Sequence, residues 1–144
     1  MVIAFFGHSN CQGSSELEAE MFSILKEKIG DQKAELLFGA YGNFDNFAYQ
    51  CAAKYKRSHP NTSLVLVTPY RGRDYENEKF DIVIYPGLEK IPYRFAIAYR
   101  NRWMIDQADL LICYIDHSWG GAYNAYSYAK QKKMSIFNLS HMSL

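Results

Sequence analysis

The sequence has few cysteines, little net charge and no long apolar run. Its three cysteines, Cys11, Cys51 and Cys113, form no CxxC pair and have no metal-type spacing, so we expect reduced thiols, no metal site and no cofactor. A net charge of +1 gives no overall field to attract nucleic acid or an anionic membrane, and neither is predicted as a partner. No signal peptide or bilayer-length segment is evident, which predicts a cytoplasmic protein.

The composition is that of a soluble globular protein. The chain has 144 residues, of which 49% are hydrophobic and 22% charged, and this predicts a single domain over residues 1–144 with one substantial core. Aromatic residues make up 16%, with twelve tyrosines and nine phenylalanines. Such residues pack in cores, stack on bases and cover interfaces, so we expect a homodimer or higher homo-oligomer.

Short apolar runs alternate with segments of helical spacing. The alternation predicts an α/β, Rossmann-like fold: an open, mostly parallel sheet of five to six strands with helices on both faces. Helical segments begin after Ser14 or Ser15, at residue 44, after Pro92 and at Ala122. The predicted strands are Val2–Phe6, Glu35–Phe38, Ser63–Thr68, Asp81–Tyr85, the apolar start of Asp109–Gly121, and Met134–Asn138.

The helix predicted at about residues 93–107 has apolar side chains on nearly all sides. Phe95, Ile97 and Trp103 are interspersed with Arg94 and Arg100. A helix of this kind should be largely enclosed, and its arginines then need partners.

Four polar loops follow predicted strands. Right-handed crossovers place the carboxyl ends of parallel strands at one edge of a sheet, where ligands bind at the point at which the strand order reverses. The loops are Gly7–Gln12, Gly39–Asp45, Pro69–Arg71 and Asp116–Gly121. Their convergence predicts a ligand site at this edge.

Gly120 and Gly121 lie between the strand within Asp109–Gly121 and the following helix. Unpaired amides and the helix dipole favour an anion at such a point, and glycine permits its close approach. The corner therefore fits a phosphate- or nucleotide-sized ligand, although a plain tight turn would give the same pattern.

Several motifs together resemble the SLOG superfamily over nearly the whole chain. The motifs are Phe6-Gly7-His8, Gly39-Ala-Tyr-Gly42-Asn-Phe-Asp45, Val67-Thr-Pro-Tyr70, the arginine-bearing stretch Arg94–Asp109, and Ser118-Trp-Gly-Gly-Ala122. SLOG proteins are Rossmann-like and include the LOG-type phosphoribohydrolases, DprA-like proteins and YpsA-like proteins. The resemblance implies a nucleotide or nucleotide-derived ligand at the carboxyl edge of the sheet, and many members are dimers or larger.

One departure from the family pattern bears on catalysis. LOG-type enzymes carry a PGGxGTxxE motif, whereas Gly121–Lys130 of this chain contains no Asp or Glu. Cleavage of an N-glycosidic bond needs a carboxylate near the cation-like sugar. The resemblance therefore implies binding rather than turnover, as by a sensor or sequestering protein for a signal such as a cyclic ADP-ribose-type nucleotide. The alternatives are an N-glycosidase or phosphoribohydrolase that uses Asp45, Asp116 or His8, and an interaction domain with a vestigial site.

Each candidate residue has a structural alternative. Arg100 can bind a phosphate or pair with a buried carboxylate, Asp45 can accept from a ribose or cap a helix, and His8 can act as an acid or base or simply be hydrogen-bonded. Tyr41, Tyr70, Trp119 and Tyr123 can stack on a base or pack at an interface. The predicted ligand-binding residues are Gly7, His8, Ser9, Gly42, Asn43, Asp45, Tyr70, Arg71, Arg100, Asp116, Ser118, Trp119, Gly120, Gly121 and Ala122.

Overall fold

The structure, a computed structural model, describes residues 1–39, 42–71 and 79–144. Six parallel strands form one sheet in the order β4-β3-β2-β1-β5-β6. The strands are β1 Val2–Gly7, β2 Ala34–Phe38, β3 Thr62–Val67, β4 Ile82–Ile84, β5 Leu110–Tyr114 and β6 Ser135–Asn138, and the helices are α1 Ser15–Ile29, α2 Gly42–Ser58, α3 Ala96–Gln107 and α4 Gly121–Gln131. The predicted Rossmann-like α/β fold is confirmed, with all six strands parallel.

Alternating strand residues build a separate core on each face of the sheet. Ile3 and Phe5 of β1 pack on the face that α1 and α2 cover, whereas Ala4 and Phe6 pack on the face that α3 and α4 cover. Strands buried on both faces read as continuous apolar runs, and for this reason the sequence predicts them well. The helices therefore lie on both faces, as expected.

The ends of α1 follow local sequence signals. Ser14 is the N-cap, and its hydroxyl accepts a hydrogen bond from Leu17 N at 3.2 Å. Gly30 ends the helix with φ +57°, a conformation that glycine adopts without steric cost. Both signals were predicted from the sequence.

Helix α3 is less enclosed than predicted. A 3₁₀ turn, Tyr93–Phe95, precedes it, and the exposed fractions of Tyr93, Phe95 and Tyr99 are 63%, 44% and 42%. Arg94 lies over the Phe95 ring at 4.8 Å, and Arg102 lies over the Tyr99 ring at 5.6 Å. The prediction of an enclosed helix is wrong because α3 packs only its other side against the sheet and α4.

The strand order reverses at β1. Strands β2, β3 and β4 extend from one side of β1, whereas β5 and β6 extend from the other. Connections after β1 and β5 must therefore diverge, and the divergence opens a crevice at the carboxyl edge of the sheet. In the described ranges, we find no helix with the length and apolar character that a membrane crossing requires.

Candidate functional site

A cleft of about 240 Å³ lies where the strand order reverses. The end of β1, the start of α4 and one side of α3 form its walls. Its lining residues are Phe6, Gly7, Gly39, Asp45, Ile97, Arg100, Asn101, Gly121 and Ala122. The geometry thus brings together six of the predicted residues or loop positions: Gly7, Gly39, Asp45, Arg100, Gly121 and Ala122.

A second cavity of about 470 Å³ adjoins this cleft between α3 and α4. The two cavities share Ile97, Asn101 and Gly121. Arg94 and Arg102 line the second cavity, and its lining has no carboxylate among the residues that the structure describes. The second cavity therefore has room and positive charge for an anionic group, whereas the lining of the first also includes the Asp45 carboxylate.

The start of α4 is open. Gly120, the N-cap, has φ +96° and, being glycine, offers no side chain that could cap the first turn. A Cβ built on Gly120 or Gly121 would meet no atom within 4 Å. By contrast, α1 is capped by the Ser14 hydroxyl. The amides at the start of α4 therefore face space that an anion can occupy.

Arg100 lies at the base of the cleft and is 3% exposed. Its Nη1 donates to the carbonyl oxygens of Val67 at 2.8 Å and Gly39 at 3.3 Å, and its Nε donates to Asn101 Oδ1 at 2.8 Å. The guanidinium thus joins the ends of β2 and β3. Its predicted contact with a phosphate stays a prediction.

One residue in the first turn of α2 also lines the cleft. Asp45 is in the first turn, is 8% exposed and lines the cleft. Gly42 has φ +87°, and a Cβ there would lie 3.0 Å from Ser9, so the glycine lets the loop after β1 pass close to α2. Asn43 is exposed in the same turn.

Gly7 permits a close contact within the protein. A Cβ at this position would lie 2.2 Å from the Phe44 ring. The ring is fully buried, so it has no room to move away from an added methyl group. Close packing against α2 is therefore sufficient to explain this glycine.

His8, Asp116 and His117 meet beside Gly120, outside the lining of the cleft. Asp116 Oδ1 lies 2.6 Å from His117 Nδ1 and 3.8 Å from His8 Nε2. The imidazole rings of His8 and His117 stack at 3.4 Å, and Trp119 packs on the outer side of His117 at 4.0 Å. Burial, together with the neighbouring His117, lowers the pKa of His8.

These side chains border an open groove of about 570 Å³. Trp119 is 69% exposed, and Ser9 also lines the groove. Ser118 is exposed beside Trp119. The groove therefore offers an aromatic surface close to the Gly120 corner.

The structure does not bring Tyr70 and Arg71 into the cleft. Tyr70 stacks on Tyr93 at 4.3 Å, while Arg71 pairs with Glu89 at 3.5 Å and lies over the Tyr85 ring. They form a separate surface beyond β3. Tyr41 and the residues 72–78 lie outside the described part of the chain.

Asn101 was not among the predicted ligand-binding residues. Its side chain is 9% exposed, lines both cavities and accepts the hydrogen bond from Arg100 Nε. An amide between two arginines was visible in the sequence. Its side of α3 could not be assigned, however, because that helix has no single polar stripe.

The cysteines are expected to react slowly with a thiol reagent. Cys11, Cys51 and Cys113 are free and buried. Burial raises the pKa of Cys11 to about 11 and that of Cys51 to about 12, and it also raises the pKa of Cys113. At neutral pH the thiolate of Cys11 is thus about 100-fold scarcer than for an ordinary thiol.

Reaction with an aromatic disulfide, followed by absorbance, should be slow in the native protein and complete within the mixing time in denaturant. A fast native phase that disappears in Cys11→Ala would contradict this expectation.

Comparison with known proteins gives matches in structure rather than sequence. No protein-family model and no curated protein sequence matches the chain. DNA processing protein A from Helicobacter pylori, described for its single-stranded DNA binding mode, has a TM-score of 0.63 and 16% identity, with 96% of this chain and 64% of that one covered. DNA processing protein A (DprA) from Streptococcus pneumoniae has a TM-score of 0.63 and 14% identity, with 94% and 49% covered.

A molybdenum cofactor binding protein is also similar. The protein from the phototrophic bacterium Rippkaea orientalis has a TM-score of 0.62 and 16% identity, with 94% of this chain and 73% of that one covered. This chain spans about two thirds of the length of the H. pylori DprA chain and about half of the S. pneumoniae one. The predicted resemblance to SLOG proteins, which include DprA, is confirmed at the level of the fold.

The prediction that the chain has no nucleic-acid partner is wrong. It was based on the net charge of +1, yet the H. pylori protein with the same fold binds single-stranded DNA. A net charge averages over the whole chain, whereas contacts with phosphates depend on local clusters of positive charge. Arg94 and Arg102 line the same cavity and lie against the rings of Phe95 and Tyr99. Self-association stays a prediction.

Proposed function

We propose that the chain binds a nucleotide or nucleotide-derived small molecule in the cleft between β1, α3 and α4, as a sensor or sequestering protein. A phosphate of the ligand binds the amides at the start of α4. The rest of the molecule extends into the adjoining cavity between α3 and α4.

The uncapped, open start of α4 carries this proposal. Gly120 and Gly121 leave space on the ligand side of the helix, and the first turn has no side-chain cap. A helix N-terminus attracts an anion through its amides and its dipole. Its location at the reversal of strand order supports a ligand site, since the same location binds ligands in other open α/β sheets.

Other lining groups are suited to the rest of a nucleotide. The carboxylate of Asp45, which also lines the cleft, is suited to accept hydrogen bonds from ribose hydroxyls. An aromatic ring is suited to stack on a base, and Tyr128 lines the second cavity. Arg94 and Arg102 supply positive charge along the second cavity.

The chain retains fewer groups for catalysis than for binding. Helix α4 contains no carboxylate, and Asp116 is hydrogen-bonded to His117. For an N-glycosidase, Asp45 would have to stabilise the cation-like sugar. That enzyme is the alternative within the same cleft, and the observation in its favour is the burial of Asp45 on the cleft wall.

A second candidate function is binding of a single nucleic-acid strand on the exposed side of α3. Tyr93, Phe95 and Tyr99 are exposed, with Arg94 and Arg102 against the rings. Bases stack on such rings while arginines contact the phosphates. The single-stranded DNA binding of a protein with the same fold supports this candidate.

The experiment is a binding panel followed by analysis of the ligand. The panel contains nucleotides, cyclic ADP-ribose-type molecules, the molybdenum cofactor and a single-stranded oligothymidylate, each tested by calorimetry and by chromatography of the bound and free fractions. We expect a nucleotide-type ligand to bind and to be recovered intact from the denatured protein. Free base in solution would support the N-glycosidase, and binding of the oligonucleotide alone would support the α3 surface. No binding by any panel member would overturn the proposal.

A further inference from the structure

Two imidazoles and a carboxylate converge just beyond the ends of β1 and β5. The strands pair in register with Gly7 opposite Tyr114, and His8 N donates to Tyr114 O at 3.1 Å. The side chains that follow the two strands are therefore neighbours, although 109 residues separate His8 from His117. One nitrogen or oxygen from each of His8, Asp116 and His117 falls within 4.8 Å of the others.

We propose that His8, Asp116 and His117 form a binding site for a divalent transition-metal ion such as Zn²⁺. Two imidazole nitrogens and one carboxylate oxygen hold the ion, and its remaining coordination positions face the groove bordered by Ser9, Asn10 and Gly120. The site is independent of the proposed nucleotide cleft, since none of its three ligands lines that cleft.

The distances are close to those that such an ion requires. With metal–ligand bonds of about 2.1 Å, two atoms bound at a tetrahedral angle lie about 3.4 Å apart. Asp116 Oδ1 is 2.6 Å from His117 Nδ1 and 3.8 Å from His8 Nε2. These two separations bracket the required value, and all three ligand atoms lie within 4.8 Å of one another. Nε2 of His8 also lies 3.3 Å from His117 O, and it leaves that contact when it binds the ion. The ion takes the place of the proton between Asp116 and His117, and that proton is released to solvent.

One ring has to turn when the ion binds. The imidazoles of His8 and His117 stack with their planes 14° apart, so their lone pairs run side by side rather than toward one point. His117 is the ring with freedom to turn, since its side chain is 20% exposed, whereas that of His8 is 6% exposed. His8 thus supplies a fixed ligand, and His117 closes on the ion.

The donor set indicates the class of metal. Two imidazoles with one carboxylate suit Zn²⁺, Ni²⁺, Co²⁺ or Fe²⁺, whereas Mg²⁺ and Ca²⁺ prefer oxygen alone. Three protein ligands leave a position for water or for an anion, as in zinc sites that act on other molecules. The groove of about 570 Å³ gives that position access from solvent.

The test is a titration of the full chain, stripped of metal with a chelator, with ZnCl₂ against a chromophoric zinc indicator. We expect about one ion per chain to bind, and Asp116→Asn and His117→Gln each to weaken binding by at least about tenfold. His141→Gln is the matched control, because His141 also pairs with a carboxylate, Glu20, but at an exposed position. Circular dichroism of each variant separates loss of a ligand from loss of the fold.

The titration also has outcomes that overturn the site. Absence of zinc binding in the stripped protein would do so. The same conclusion follows if Asp116→Asn and His117→Gln bind zinc as tightly as the parent protein. It also follows if zinc binding is lost only when the cysteines are alkylated. As a separate readout, Co²⁺ should give visible absorption bands without the charge-transfer band of a bound thiolate. None of these measurements requires a nucleotide, so their failure would leave the proposed cleft function unaffected.

Discussion

Replacing Arg100 with methionine is expected to lower the free energy of unfolding by about 3 kcal/mol. The side chain is 3% exposed. Its guanidinium donates to the carbonyl oxygens of Val67 and Gly39 and to the Asn101 side chain. Methionine fills much of the volume but donates nothing, and it would leave these buried acceptors without this donor. For a domain of this size, the loss corresponds to a fall in Tm of roughly 10 °C, which differential scanning calorimetry measures directly.

Arg102→Met is the matched control for this prediction. Arg102 is exposed on the same helix and contacts the rings of Tyr99 and Tyr128 at 5.6 Å. Its loss should change stability by no more than about 0.5–1 kcal/mol. Arg100→Lys keeps the charge but loses the planar fork, so its Tm should be intermediate. Equal Tm values for Arg100→Met and Arg102→Met would show that the hydrogen bonds from Arg100 to the ends of β2 and β3 contribute little to stability.

Much of the fold was predictable because its signals are local. The apolar run Val2–Phe6 and the cap signals Ser14 and Gly30 each depend on a few neighbouring residues. The exposure of Phe95 and Tyr99 was not predictable, since apolar composition alone does not say which side of α3 another element covers. The sequence also predicts the end of β3 at Thr68, one residue beyond its observed end at Val67, because Thr68 continues the β-branched pattern.

The candidate site depends on the order of the strands in the sheet, and the sequence alone does not determine that order. The loops after β1 and β5 were expected to meet at one edge, and Gly7 and Gly121 do line one cleft. The loop after β3, with Tyr70 and Arg71, lies at a different place along that edge because β2 separates β3 from β1. The cluster of His8 with His117 likewise arises from the β1–β5 pairing, and no short-range spacing could reveal it.

Replacing Gly121 with aspartate is expected to weaken binding of the best nucleotide of the panel by about 100-fold or more. The new carboxylate would lie at the start of α4, where the proposed phosphate binds, and would both repel that phosphate and accept hydrogen bonds from the same amides. Space exists for the side chain, since a Cβ at Gly121 meets no atom within 4 Å. A carboxylate in the first turn of a helix is itself stabilising by about 0.3–1 kcal/mol. Calorimetry should therefore show weaker binding together with an unchanged or slightly higher Tm.

Gly121→Asn separates charge from size. Asparagine has nearly the shape of aspartate but carries no charge, so its effect on affinity should be at least about tenfold smaller if repulsion of a phosphate dominates. Equal losses for the two variants would indicate a steric effect on a neutral ligand instead. Unchanged affinity in Gly121→Asp would remove the phosphate from the start of α4. In that case the arginines of the adjoining cavity, Arg94 and Arg102, would be the next groups to test, because they also supply positive charge along the ligand space.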